Sequence, residues 1–542
     1  MKAKTYFKIL SIVIWSLIFV TVVTAAPGDL DLTFSGDGKV TTDFLNTGET
    51  AEAVVVQADG KILVAGYRYG GVFPDSYDIT VARYLADGAL DPNFGVNGKV
   101  ITNLGPGFAD TAQDMALQSD GKIIVVGGSR YDLATVRYTT AGMLDNTFGV
   151  GGVITTDVNQ TSEQANAVAI QPDGKIVVAG SANDGIKPAI ILVRYTTQGA
   201  LDNGFGANGI VTTTFPEGGV SAQALALQSD GKIVAAGFGA GNFALARYTT
   251  SGALDSTFGA GGIVTASVGT GQEWYDVAIQ PDGKILVAGF CFNESYAADF
   301  TVARFTPEGM LDNTFGVNGV ARTDLGHMLD YGLALMLLSD GKIVVAGASG
   351  DYLTGNDFAM VRYTSAGTVD NTFGSNGIVF TDFGYWDYGH AAALQPDGKM
   401  IVAGRVSPNP ASRMAYNNLL ALPNDADFGV ARYESGVSVC QPISEVEISG
   451  SMGNVGTIFI DTLYTFDAVV TPINATLPIT YTWSPDPWDG QGTARAHYLW
   501  TTTGTKTVTV TVENCGASVF NSKTVHLVIP AAKIYLPLVL RK

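Results

Sequence analysis

The chain has 542 residues, too many for one small domain and enough for a large β-rich core. Only 15% of the residues are charged and the formal net charge is −19, an acidic balance that speaks against nucleic acid and anionic membrane as partners. The 66 glycines would suggest disorder if scattered, but they fall at fixed turn positions of a repeat and so imply order.

Residues 1–26 read as a secretory signal peptide. Lys2, Lys4 and Lys8 make the charged start, 9–23 is an apolar run too short for an ordinary membrane span, and Val23-Thr24-Ala25 offers small residues for cleavage. The alternative is an uncleaved anchor. The expected location is therefore secreted or cell-surface, with no membrane span in the mature chain. A first motif follows at once, Leu30-Asp31-Leu32-Thr33-Phe34.

From there the chain repeats. Asp-Gly-Lys recurs at Asp59, Asp120, Asp173, Asp230, Asp282, Asp340 and Asp397, at steps of 52 to 61 residues. In Gln171-Pro172-Asp173-Gly174-Lys175, Pro presets the first corner of a type I turn and Gly takes the left-handed position that closes a hairpin. The flanks alternate, so two short strands meet there. Downstream a third strand ends in Arg-Tyr or Arg-Phe, from Arg83-Tyr84 to Arg432-Tyr433. Next comes Leu/Val-Asp-x-x-Phe, as at Asp91-Phe94, and then a fourth strand such as Gly98-Lys99-Val100-Ile101-Thr102. Four short strands per unit at this period predict the blades of a β-propeller.

These linked motifs resemble the delta-60 repeat family of bacterial propellers, over roughly residues 28–435. The resemblance implies a fold and little about function. The expected architecture is all-β: a seven-bladed β-propeller over 27–435, followed by a second unit. The first motif belongs to a fourth strand and the last to a third strand, so the N-terminal strand near 39–44 should close the seventh blade and latch the ring. The alternative, blades cut at Leu-Asp, needs no latch.

Loops alternate between the two faces of such a ring. The Asp-Gly-Lys turns and the Arg-Tyr to Leu/Val-Asp connections share one face and vary little, whereas the other loops vary widely, which marks their face for recognition. Three adjacent loops there carry the candidate ligand site: Glu273, Trp274 and Tyr275; His327, Asp330 and Tyr331; Trp386, Asp387, Tyr388 and His390. Five copies place an acid ten residues before the hairpin Asp: Glu49, Asp110, Glu163, Asp330 and Asp387. Aromatic faces stack on sugar rings, and carboxylates accept sugar hydroxyls or hold a cation, calcium being the one such groups suit. The competing reading is that the aromatics cover apolar surface and the acids cap turns. The repeated Arg and hairpin Asp, present in every copy, are expected to be structural pairs. The long insert at 407–427 is a candidate lid or domain contact.

After a linker at 436–443, residues 444–530 change character. Tyr481-x-Trp483, Asp489-Gly490, Tyr498, Gly504 and the run Val508-Thr509-Val510-Thr511-Val512 resemble the PKD family, which implies an Ig-like β-sandwich acting as a spacer or adhesive module. Cys440 and Cys515 flank this unit and are expected to form a disulfide in an exported chain, leaving Cys291 as a buried thiol. Residues 531–542, with Tyr535-Leu536-Pro537-Leu538-Val539, form a tail that is either a sorting tag or a last edge strand.

The four histidines make no His-Glu-x-x-His, and nucleophile elbows and phosphate loops are missing. No catalytic residue and no cofactor is evident. The favoured function is a monomeric, non-catalytic scaffold that binds an extracellular glycan or protein. The alternatives are an extracellular carbohydrate-active hydrolase or lyase using loop carboxylates, and a structural envelope component.

Overall fold

The structure is a computed structural model. It describes residues 25–437 apart from 46, 71–75, 107, 159–161, 184–186, 240, 352–353 and 408–425, together with the strands between 445 and 528. The described residues form strands and turns, without helix. In the first sheet Glu49–Val56, Ile62–Tyr69, Tyr77–Tyr84 and Lys99–Thr102 lie side by side, antiparallel, in chain order. The same order recurs in sheets two to six, which begin at Thr111–Leu117, Ser162–Ile170, Ser221–Leu227, Thr270–Ile279 and Leu329–Leu337. Sheets five and six are joined by one parallel pairing, Ala298 with Leu329.

Sheet seven takes three strands from the end of the repeat, Tyr388–Leu394, Met400–Val406 and Asp427–Tyr433. Its fourth is Lys39–Thr42, antiparallel to the third with Lys39 opposite Ala431 and Thr42 opposite Phe428. The N-terminal strand therefore latches onto the last sheet, as the motif order predicts. Each first strand touches the first strand of the next sheet, and Tyr388–Leu394 touches Glu49–Val56, so the seven first strands circle a common axis. The apolar core lies between sheets. One cluster joins Leu63, Ala65 and Val81 of sheet one to Ala112, Ile123 and Val136 of sheet two, each large aliphatic contributing about 1.5–3 kcal/mol by burial.

The C-terminal residues form two further sheets. One pairs Glu445–Gly450, Leu463–Thr471 and Arg495–Leu499; the other pairs Thr457–Phe459, Ala517–Val528, Gly504–Asn514 and Thr480–Ser484. The expected signal peptide up to residue 24, most of the 407–427 insert, most of the expected linker, Cys440, Cys515 and the tail lie outside the described residues. Cys291 is a buried free thiol. No helix among the described residues is long and apolar enough to cross a membrane.

The hairpins have the expected geometry: the hairpin glycines, such as Gly60 at φ 82° and Gly174 at φ 83°, are left-handed. The invariant charges are structural, though the partners are not the obvious ones. The hairpin Asp pairs with the Lys two residues on in sheets one to six, as Asp173 with Lys175, whereas Lys399 of sheet seven pairs with Asp31 and Glu434. The Arg pairs with the Asp of Leu/Val-Asp-x-x-Phe, at 2.7–3.0 Å in all seven sheets. Its guanidinium also lies over the Phe of that motif, 4.4–4.8 Å from the ring centre. Its Nη1 donates to a main-chain carbonyl at the matching turn one sheet further round, as Arg83 to Thr140 and Arg137 to Thr197. Arg432 donates to Ala86 of sheet one and so completes the circuit.

A second circuit runs through the Tyr beside each Arg. Its hydroxyl bonds to a Thr on the fourth strand of the preceding sheet: Tyr84 to Thr42, Tyr138 to Thr102, Tyr195 with Thr156, Tyr248 to Thr213, Tyr363 to Thr323 and Tyr433 to Thr381, at 2.6–2.9 Å. The exception is instructive. Sheet five carries Phe305, and the residue facing it from sheet four is Ala266, so both halves of the hydrogen bond are replaced together. An unpaired buried hydroxyl costs about 1–3 kcal/mol, whereas replacing both partners by apolar groups is nearly neutral. Tyr248→Phe or Thr213→Ala alone should therefore lower unfolding stability by about 1–2 kcal/mol, and the double variant by less than their sum. A denaturant-unfolding double-mutant cycle with no coupling would refute the pairing.

Candidate functional site

Each first strand contains a β-bulge at the same place, and that of sheet five has a second register shift between Thr270 and Glu273. The register skips Glu52, Gln113, Asn166, Gln223, Tyr275, Leu333 and His390 in sheets one to seven. Every one of these lies seven residues before its hairpin Asp. A bulge leaves its extra residue without a cross-strand partner and bends the strand. The second strand must then approach closely, and it does so at glycine. A Cβ on Gly66, Gly127, Gly180, Gly237, Gly289, Gly347 or Gly404 would sit within 2.0 Å of a main-chain oxygen of the first strand. The Ala/Val-Gly inside every second strand is therefore the sequence trace of the bulge.

The seven bulge residues line one central cavity of about 630 Å³. Its walls differ. Tyr275, Phe290, Phe292, Tyr331 and Tyr388 make an aromatic side, with Tyr275 stacked on Phe290 at 6.0 Å and Phe290 edge-on to Tyr331 at 4.7 Å. Glu52, Gln113, Asn166 and Gln223 make a polar side. His390 lies where the two meet, its Nδ1 2.8 Å from Glu52 Oε2. Carboxylates staple neighbouring first strands below the rim. Asp114 Oδ2 accepts from the Val168 amide and Asp276 Oδ2 from the Leu335 amide, both at 2.7 Å, and burial raises these carboxyls to about 7 and about 6.

Of the residues singled out in the sequence, Glu273, Tyr275, Tyr331, Tyr388 and His390 line this cavity together. The others do not. Trp274 is fully buried between sheets, edge-on to Phe243, because its strand position turns it away from the axis. Trp386 is 6% exposed and packs with Ala348 and Tyr388. Neither indole presents a face to a ligand. Asp330 and Asp387 are fully buried. Asp330 accepts from Ser349 Oγ and the Leu325 amide, and Asp387 from the Phe383 and Ser407 amides. They tie down the loops leading into their strands, as the turn-capping reading held. His327 is instead paired with Asp351 at 3.1 Å.

Glu52, Gln113, Asn166 and Gln223 were missed in the sequence, although their constant distance from the hairpin was there to be read. A second pattern lies between sheets, where acids from three strands converge. Asp43, Glu49 and Asp427 form one such group; Asp132, Asp157 and Glu163 another; Asp299, Asp324 and Asp330 a third; Asp357, Asp382 and Asp387 a fourth, each with oxygens within 4.8 Å of one another. Such groups could hold a metal ion.

Burial raises Asp330 to about 6. The folded protein then keeps a proton that the unfolded chain releases near pH 4, so this contribution to stability is complete below about pH 4 and is lost as pH rises to about 6. Asp330→Asn keeps the acceptor for Leu325 and gains a donor for Ser349. It should flatten the stability profile between pH 4 and 6 by up to about 1.4 kcal/mol per pH unit; an unchanged slope in denaturant unfolding would contradict this. Trp274→Ala should cost about 3–5 kcal/mol as a cavity in the core, while Trp274→Phe, which removes a buried Nε1 that has no partner among the described residues, should cost far less by the same measurement.

A family model described as "Domain of unknown function (DUF5122) beta-propeller" matches residues 57–94, 118–148, 171–205, 228–258, 280–315 and 338–373. No curated protein matches the chain. Among solved structures, the chain is similar to the polysaccharide lyase Uly1, with 12% identity, 73% of this chain and 91% of that one covered, and a TM-score of 0.41. It is also similar to a virginiamycin B lyase from Staphylococcus aureus, with 12% identity, 72% and 98% covered and a TM-score of 0.37. A calcium-binding regucalcin from Agrobacterium tumefaciens shows 13% identity, 60% and 88% covered and a TM-score of 0.32. At these low scores no property of those proteins is carried to this chain. Each family match runs from a hairpin to a Leu/Val-Asp-x-x-Phe motif, the span that holds one Arg–Asp–Phe cluster, and the chain is a β-propeller repeat protein.

Proposed function

We propose that the seven sheets are the blades of a closed propeller over 27–435, carrying an Ig-like, PKD-like unit over 444–530, in an exported or cell-surface protein whose work is non-catalytic ligand binding. The ligand is a glycan held at the mouth of the channel. One observation carries this reading: seven side chains on equivalent bulges converge on a single cavity with an aromatic wall facing an amide and carboxylate wall. Aromatic faces take the apolar face of a sugar ring, and amides and carboxylates take its hydroxyls. The loop carboxylates Asp330 and Asp387 are buried and already hydrogen-bonded, which counts against hydrolysis through them.

The second reading is a lyase, and its support is also in the cavity. His390 is oriented by Glu52 beside tyrosines able to move a proton. A panel of polysaccharides offered to the full chain separates the two. Saturable binding without product, weakened about tenfold or more by Tyr275→Ala or Tyr331→Ala, supports the scaffold. Release of unsaturated sugar, abolished by His390→Asn, would replace it with the enzyme. No binding to any glycan would remove both.

A further inference from the structure

The three acids Asp43, Glu49 and Asp427 meet where the ring closes. Asp43 follows the N-terminal strand, Glu49 opens the first strand of sheet one, and Asp427 opens the third strand of sheet seven. Two distant pieces of chain thus bring their carboxylates to the seam, Asp43 and Glu49 from the link between Lys39–Thr42 and Glu49–Val56 and Asp427 from the end of the repeat, their oxygens within 4.8 Å of one another. Glu49 is fully buried. Its Oε1 accepts from Thr47 Oγ1 at 2.7 Å, and the Phe44 amide also faces the carboxylate, yet Oε2 is buried with no hydrogen-bond partner among the described residues. A buried carboxylate oxygen left without a donor is costly unless something else satisfies it.

The equivalent seams show how the fold handles this place. Between sheets five and six, Arg322 Nε lies 2.8 Å from Asp299. Between sheets one and two, Asp78 takes Arg68 at 2.7 Å and the amide of Asn103, and only Asp110 remains of the other acids. Between sheets four and five the three positions are Asn242, Ser267 and Gln272, and between three and four Ala189, Thr214 and Val220. At the closing seam both cation positions are vacated by sequence: Thr41 stands where Arg322 does, and Val406, opposite Asp427, stands where Arg68 does opposite Asp78. The acids are kept and those two cations are not, as also between sheets two and three, where Asp132, Asp157 and Glu163 meet with Ser129 and Thr155 at the cation positions, and between six and seven, where Asp357, Asp382 and Asp387 meet with Ser349 and Phe380.

We propose that Asp43, Glu49 and Asp427 bind a divalent calcium-class cation that clamps the N-terminal strand into the ring. Three carboxylates whose oxygens lie within 4.8 Å of one another are an all-protein oxygen set of the kind calcium takes, whereas magnesium is usually held by one or two carboxylates together with waters or phosphates.

The test is calorimetric titration of the chelator-treated full chain with calcium chloride, and separately with magnesium chloride, alongside thermal melts. Calcium should bind and raise the melting temperature. Glu49→Gln, which keeps the shape and the bond from Thr47, should lose one calcium equivalent per chain or weaken it at least tenfold. Asp43→Asn should do the same, while Asp299→Asn at the Arg322 seam should leave the titration unchanged. Absence of calcium binding by the unaltered chain, or the full calcium complement in both Glu49→Gln and Asp43→Asn, overturns the assignment.

Discussion

The whole ring depends on one buried cation per sheet. Each arginine is held by an aspartate of its own sheet, covered by a phenylalanine, and aimed at a carbonyl of the next. A buried ion pair is not in itself a strong source of stability, because desolvation offsets much of the attraction. Its value here is directional. The guanidinium has several fixed donors, and one is spent across the gap between sheets. Apolar packing between the sheets is far larger in free energy but tolerates sliding; a planar fork tied to a carbonyl does not. Seven such ties, with Arg432 reaching Ala86, set how each sheet meets the next and bring the last back to the first.

Much of this was legible in the sequence because the repeat compares the chain with itself. Asp-Gly-Lys, Arg-Tyr and Leu/Val-Asp-x-x-Phe gave the strand order, and the motif order from Leu30 to Tyr433 gave the latch through Lys39–Thr42. What could not be read was direction. Trp274 and Tyr275 are neighbours, both aromatic and both in a variable loop by sequence; one is in the core and the other in the cavity. In a strand they would simply alternate, but the bulge at Tyr275 resets the alternation. The same holds for Asp330 and Asp387. Their spacing made them look available, and only the structure shows the amides and the serine hydroxyl that already occupy them.

The bulge explains how the constant and the variable parts of the chain coexist. A residue in regular pairing is constrained by its cross-strand neighbour. The bulged residue has none, so its identity is freed from the sheet, and the seven positions hold Glu, Gln, Asn, Gln, Tyr, Leu and His without disturbing a ladder. The constraint falls on the opposite strand, where glycine is required in every copy. Invariance is thus concentrated in residues that never face the cavity, and chemical freedom in those that do.

Closure makes a further demand. A loop crosses every seam between sheets, residues 43–48 linking Lys39–Thr42 of sheet seven to Glu49–Val56 of sheet one. The closing seam lies inside sheet seven, where Lys39–Thr42 pairs with Asp427–Tyr433 almost 400 residues away in sequence and must hold by non-covalent contacts alone, at the full entropic cost of bringing distant chain together. The four main-chain pairings of Lys39–Thr42 and the Arg432 tie act there. An extra tether would repay more at this seam than at any other, since it restrains the longest loop. The acids Asp43, Glu49 and Asp427 meet beside it, with Thr41 and Val406 standing where Arg322 and Arg68 neutralise the corresponding acids at two other seams. A cation from solution in place of one from the chain would make ring closure responsive to the medium, which is a property a fixed arginine cannot supply.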